Sequence, residues 1–208
     1  MPYRLFYADG SAAMGVRVIL EEVGETYELI ETEIGAGMPR APELLAVNPN
    51  GWVPVLLWEH GAIYECGAIV TFLCDRYPEF RLAPGANDTD RGVFLQWLFF
   101  FSSSLQTAYQ MTYHTDRFCE STADHDSVQH RSGRRLHELW QVVDNAIGNR
   151  EWMLGQKFSA ADIYLFMLTT WLSDEHGHPV VEEFPNVSRV ANAVLSRPAV
   201  QKIYQPLS

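Results

Sequence analysis

Cysteine is scarce in this chain: three in 208 residues, with no C-x-x-C pair. An odd, widely spaced set offers neither a disulfide framework nor a thiolate metal knuckle. Cys66 and Cys74 fall in one expected helix, about 12 Å apart at roughly 1.5 Å per residue. A disulfide tolerates only about 7 Å between Cα atoms, so reduced thiols in a cytoplasmic protein are expected. Positive charge is also short, with 15 Lys and Arg against 26 Asp and Glu, for a formal net charge of −11. Phosphate contacts from Lys and Arg supply most nucleic-acid affinity, so neither nucleic acid nor an anionic membrane is an expected partner. The opening residues MPYRLFYADG lack a basic flank followed by an apolar run, so no secretory signal is read there. The longest apolar stretch, around Trp97–Phe101, is far short of a membrane span. Histidines 125, 130, 137, 176 and 178 have no acidic or cysteine partner recurring at ligand spacing, so no metal site is expected.

What is present is ample apolar material, 47% of the residues, enough for a sizeable core. Arg4–Tyr7 reads as a short strand and Ser11–Gly24 as a loop entering a helix, with Val16, Ile19, Leu20 and Val23 at helical spacing and Gly24 as its stop. Tyr27–Ile30 is a second strand. Residues 34–51 read as a long loop with at most a short helix near Glu43–Val47. RLAPGANDTD, residues 81–90, is a polar linker and a domain boundary. Everything beyond it reads as helical. Phe94, Trp97, Leu98, Phe101, Leu105 and Ala108 form one stripe, while Phe99 and Phe100 fall outside it, so this helix is apolar on more than one face. A second long helix is expected from about Val128 to Asn149. At Phe158–Ile163, Ser159 reads as an N-cap and Asp162 as its reciprocal partner, with Phe158 and Ile163 as a hydrophobic staple.

The richest segment is residues 48–78, NPNGWVPVLLWEHGAIYECGAIVTFLCDRYP. It reads as a loop, a strand from Val53 to Trp58, a tight turn, a second strand and a helix. Pro54 cannot donate to a ladder, which confines it to an edge, a strand start or a bulge. A proline here is a candidate for a cis bond. A chain so turned would present the peptide groups of Val53 away from its own sheet. Glu65-Cys66-Gly67 stands where the helix begins, and free amides with a positive dipole end suit a carboxylate there.

This segment resembles the glutathione-binding stretch of the glutathione S-transferase superfamily, NPxGxVPxL followed by E/Q-S-x-A-I, with cysteine at position 66 in place of the usual serine. Two further matches are LGQKFSAADI, residues 154–163, similar to the family's LxGxxFSxADI, and FPNVSRVANAVLSRPAVQK, residues 184–202, similar to its closing helix. The resemblance covers nearly the whole chain. It implies an α/β plus all-α protein: a thioredoxin-like glutathione-binding domain at 1–80, a linker at 81–90 and an all-helical domain at 91–208. It also implies a cytoplasmic homodimer whose first long helix lines the interface, glutathione as co-substrate, no metal, and conjugation to a small apolar electrophile. A binding protein of the same fold without turnover is the alternative.

On this resemblance Trp52, Val53 and Pro54 take the cysteinyl main chain, while Glu65 and Cys66 take the γ-glutamyl amine and carboxylate. Activating the thiol needs about 2.7 kcal/mol for a two-unit pKa shift, within reach of one hydrogen bond to a charged group. The family's Tyr, Ser, Cys or Asn falls nearest Ala12 or Ala13 here. Ser11 is the hydroxyl at hand. It either donates to sulfur, helped by the Ala12 and Ala13 amides, or N-caps the first helix. The beta-class cysteine and histidine positions align with Ala12 and Gln106, so mixed-disulfide chemistry is not implied. Tyr109, Tyr113 and His114 are the expected lining of an electrophile pocket between the domains.

Overall fold

The computed structural model describes residues 2–35 and 37–204. The chain divides into two compact units, residues 1–91 together with 196–208, and residues 92–195.

The first unit is built on β1 (Tyr3–Tyr7), α1 (Ala13–Glu22), β2 (Tyr27–Glu31), α2 (Pro42–Val47), β3 (Val55–Trp58), β4 (Gly61–Tyr64) and α3 (Cys66–Arg76). The sheet order is β2-β1-β3-β4, with β1 parallel to β2 and antiparallel to β3, and β3 antiparallel to β4. This is the thioredoxin-like layout, and it arises from period-two alternation. Phe6, Val53 and Val55 pack with Leu44 of α2, and Ile30 and Leu57 join them. Leu5 and Leu56 point to the opposite face and are fully buried. On α3 the buried residues Cys66, Ile69, Val70, Leu73 and Cys74 fall at helical spacing. Burial pushes the Cys74 thiol up to about 12. All three cysteines are free. At the end of α1, Gly24 adopts φ +68°, the left-handed stop that glycine supplies without steric cost. β3 begins at Val55, not at Val53 as the sequence suggested, because ladder pairing starts only after the proline.

The second unit holds α4 (Arg91–Phe99), a π-helical stretch Phe100–Leu105, α5 (Gln106–Tyr113), α6 (His125–Ile147), α7 (Ala160–Thr169) and α8 (Pro185–Leu195). The stripe from Phe94 to Ala108 is buried throughout, while Phe99 stays 67% exposed. Residues 115–124 carry two short 3-10 turns. Residues 81–90, read from the sequence as a linker, lie within the first unit, and so does the last helix. α9 (Pro198–Tyr204) groups with the first unit, where it packs on α1. Arg197 donates to Glu22 at 2.7 and 2.8 Å, and Lys202 to Glu21 at 2.6 Å. These charges are invisible as a pair in the sequence, being 175 residues apart or more.

Two buried polar devices hold the helical unit. Asp162 Oδ2 accepts from the Ser159 N–H at 2.8 Å and hydroxyl at 3.0 Å, and Oδ1 accepts from the Met153 N–H at 2.7 Å. The reciprocal capping box is therefore formed. Phe158 packs edge-on against Trp152. Burial pushes the Asp162 carboxyl up to about 6 while its donors pull the other way. The second device is a directed chain. His178 is 4% exposed, and its Nδ1 accepts from Ser173 N–H at 3.3 Å. Thr112 donates to Ser132 at 2.7 Å and Ser132 to the Ala108 carbonyl at 2.6 Å. The Thr112 oxygen is thus left to accept from His178 Nε2–H at 3.1 Å, which fixes a neutral ring. Burial holds its pKa down at about 4.

Replacing Asp162 with alanine leaves two buried amides without an acceptor, and should destabilise the fold by about 2 kcal/mol or more. An unmoved urea midpoint would show that the box carries no load. For His178 the unfolded ring takes up its proton near 6.5, as in model peptides, and the folded ring only near 4. The unfolded state therefore binds more protons in that window. His178's contribution is full above pH 6.5 and is lost as pH falls toward 4, by at most about 1.4 kcal/mol per pH unit. The stability gap between the wild type and His178→Asn should accordingly narrow between pH 7 and pH 4.5; a constant gap would refute the buried neutral ring.

Candidate functional site

The β3–β4 hairpin sets the site. Its ladder closes with Val55 opposite Tyr64, so the residues just outside it, Val53 and Pro54 on one side and Glu65 and Cys66 on the other, face each other across the open end. β1 joins the same end, since Phe6 pairs with Val55 and the loop from Ala8 onward leaves beside Pro54.

The approach to Val53 is a built turn. Asn48 is 3% exposed, and its side chain donates to the Trp52 carbonyl at 2.8 Å and accepts from Asn50 N–H at 3.1 Å. Gly51 has φ +72°, and a Cβ there would sit 2.9 Å from Arg40 Cγ, so both backbone and space require glycine. Arg40 stacks over the Trp52 ring at 4.6 Å. The Val53–Pro54 bond is cis. Among the described residues, no hydrogen bond reaches the N–H or C=O of Val53.

Across the opening, Glu65 is exposed at φ +71°. A left-handed backbone is costly for a residue with a long side chain, and such outliers cluster at functional sites. Its carbonyl accepts from Ile69 N–H at 3.0 Å, which starts α3. No side chain caps that helix, and among the described residues the Gly67 and Ala68 amides have no partner. They are donors aimed out of a helix start, where an anion is favoured. Cys66 is buried, and its thiol lies 3.6 Å from the Ala12 carbonyl, tying the start of α3 to the start of α1.

Ser11 belongs to the same corner. Its hydroxyl donates to the Ala8 carbonyl at 2.6 Å and accepts from Ala13 N–H at 3.2 Å. That is the geometry of a residue bracing a helix start, and the proton that would reach a sulfur is already engaged. The Ala12 amide, by contrast, has no partner among the described residues. The sequence grouped Ala12 with Ala13 as helpers of Ser11; only the hydrogen-bond pattern separates the occupied amide from the open one. Asn48 was legible in principle, because an asparagine two residues before another turn former signals an Asx turn. Nothing in the sequence pointed to the stacking of Arg40 on Trp52.

The residues expected to line an electrophile pocket do not share one surface. Tyr109 is 1% exposed, donates to the Leu168 carbonyl at 2.8 Å and accepts from Trp140 Nε1–H at 3.0 Å. It is a core residue of the helical unit, which corrects the expectation for it; the face of α5 that carries Tyr109 packs inward. Tyr113 is partly exposed, donates to the Trp171 carbonyl at 2.7 Å and packs edge-on against His176 and His178. His114 closes α5, its N–H bonding to the Gln110 carbonyl. Among the described residues no cluster of three or more His, Cys, Asp or Glu could hold a metal ion, and no helix is long and apolar enough to cross a membrane.

Two family models match, the glutathione S-transferase N-terminal domain over residues 1–75 and the C-terminal domain over residues 95–198. The chain is 28% identical to glutathione S-transferase GstA of Escherichia coli O157:H7, covering 81% of each. It is 27% identical to the transcriptional regulator URE2 of Saccharomyces cerevisiae, covering 90% of this chain and 63% of that one. A sphingomonad glutathione S-transferase solved in complex with glutathione superposes with a TM-score of 0.83 at 25% identity, covering 96% of each chain. With both domain models in order and the same architecture in a glutathione complex, the chain belongs to the glutathione S-transferase family.

Proposed function

We propose that this protein is a glutathione transferase that binds reduced glutathione at the open end of the β3–β4 hairpin and adds its thiolate to a small apolar electrophile. The observation that carries the reading is the set of backbone groups there without a partner among the described residues: Val53 on one side, Gly67 and Ala68 on the other. An extended tripeptide pairs with Val53 as an added strand would. Its γ-glutamyl carboxylate meets the α3 amides and its amine meets Glu65, with Trp52 and Pro54 shaping the turn and Cys66 holding α3 against α1. A glutathione-bound relative of the same fold supports this placement. The sulfur then lies toward the α1 start, where the open Ala12 amide, at the positive end of a helix, stabilises the thiolate. Ser11 braces that corner. We place the protein in the cytoplasm as a homodimer, a second copy covering the apolar surface that Phe99 exposes.

A second reading, a glutathione- or ligand-binding protein without turnover, is favoured by one observation: the loop's hydroxyl has its proton engaged by Ala8. Conjugation kinetics separate the two, since a binder gives calorimetric heat and no product.

Titration with reduced glutathione should give saturable heat with a Kd on the order of 0.1 mM, about −5.5 kcal/mol. Glu65→Ala should weaken it roughly ten- to a hundredfold, the loss of one charge-assisted hydrogen bond. Absence of heat from folded wild-type protein ends the proposal. Ser11→Ala should leave the pKa of the bound thiol within about half a unit, under roughly 0.7 kcal/mol, while lowering the melting temperature. A rise of about two units would instead make the hydroxyl the sulfur's donor.

A further inference from the structure

Arg40 is a cation that meets no carboxylate: among the described residues it forms no ion pair. Its bonds go to the main chain instead. Nη1 donates to the Gly35 and Met38 carbonyls at 3.2 and 3.0 Å, and Nη2 to the Ile34 carbonyl at 3.0 Å. The guanidinium lies 4.6 Å from the centre of the Trp52 ring. The aliphatic stem packs on Gly51, where an added Cβ would fall 2.9 Å from Arg40 Cγ.

One side chain thus joins two stretches of chain, the loop that leaves β2 and the turn that enters β3. Ile34 is held a second time, since its side chain packs against the cluster of Phe6, Leu44, Val53 and Val55. The loop is therefore a fixed base, and Arg40 transmits that rigidity to Trp52. Stacking on a ring while bonding carbonyls at the fork is a task for the planar guanidinium; the lysine ammonium is a point charge on a flexible stem.

Trp52 matters because of the peptide group that follows it. The Trp52 carbonyl and the Val53 N–H belong to one planar unit. Asn48 donates to that carbonyl at 2.8 Å, and the stacked guanidinium holds the ring on the adjoining Cα. Fixing the carbonyl and the side chain fixes the direction of the N–H. That N–H has no partner among the described residues. A donor held from two sides is prepared for an incoming acceptor, and binding then costs less ordering of the site.

We propose that Arg40 is a positioning residue of the glutathione site. Its role needs no contact with the tripeptide: it holds Trp52, and through Trp52 the Val53 N–H that pairs with the cysteinyl main chain. This rests on the reading of the hairpin's open end as a glutathione site. It adds to that reading a residue that prepares the docking peptide before the ligand arrives.

The test is calorimetric titration of the full chain with reduced glutathione, with thermal melting to check that each variant is folded. Arg40→Met keeps the stem on Gly51 and removes the fork; it should weaken binding about five- to tenfold. Arg40→Lys keeps the charge, and should still weaken binding at least about threefold. In a Trp52→Leu background, adding Arg40→Met should cost less than about twofold more, because residues that act through one another are not additive. In the free protein, Arg40→Met should speed amide hydrogen exchange severalfold in residues 48–53, where the Asn48, Asn50 and Gly51 amides are bonded, and leave α3 unchanged. No heat from the folded wild type removes the glutathione reading and this inference with it. Heat from the wild type with undiminished affinity in Arg40→Met or Arg40→Lys overturns this inference alone. A full-sized Arg40→Met effect in the Trp52→Leu background does the same, as does weaker binding with unchanged exchange at 48–53; either makes Arg40 a direct contact of the ligand. Faster exchange in α3 as well reduces the effect to a general loosening and overturns it too.

Discussion

The structure turns on where one ladder stops. β3 and β4 pair as far as Val55 and Tyr64 and no further. Beyond that rung the chain still has peptide groups to satisfy, and burying them unpaired is costly. On one side stands Val53, held by the turn that Asn48 and Gly51 build; on the other stands a helix whose first amides have no cap. An extended peptide with an anionic end supplies what both sides lack, and the proposed chemistry is a consequence of that deficit.

Buried side-chain networks are concentrated in the helical unit. There several buried groups close on one another, although the buried Trp171 Nε1–H has no hydrogen-bond partner among the described residues. Asp162 receives three donors, the chain from His178 runs to a carbonyl, and Asp144 accepts from the Asn186 and Val187 amides at 2.7 and 3.0 Å to cap α8. A saturated network of this kind specifies a unique packing and leaves no donor for a ligand. In the first unit Val53, Ala12, Gly67 and Ala68 keep backbone groups without a partner among the described residues, near the ends of the strands. Recognition belongs where the backbone is incomplete.

Charge is organised locally despite the net excess of acid. Glu21 and Glu22 meet Lys202 and Arg197, so the end of the chain is fastened to α1 by carboxylates that are themselves mostly buried. The Glu21 carboxyl lies below its usual range, since its bonds to Lys202 and Tyr27 outweigh desolvation by burial. Among the described residues Asp9, Glu31 and Glu33 form no ion pair. The same residue type thus serves as a fastening in one place and as an open field in another, and the difference is made by which cations the fold brings near.

Composition and pattern alone determined a good deal. Apolar spacing fixed α1 and the Phe94–Ala108 stripe because burial follows helical periodicity. Proline and glycine marked the turn before β3. The box at Ser159 and Asp162 could be written down from local chemistry, since a cap involves residues three apart. What the tertiary structure decided are facts that depend on distant residues. It sent α9 back to α1 and turned Tyr109 inward onto Leu168 and Trp140. It gave the Ser11 proton to Ala8 while leaving the Ala12 amide without a partner among the described residues, and it occupied Arg40 with three carbonyls. A sequence lists donors and acceptors; only the folded chain determines which of them are already paired.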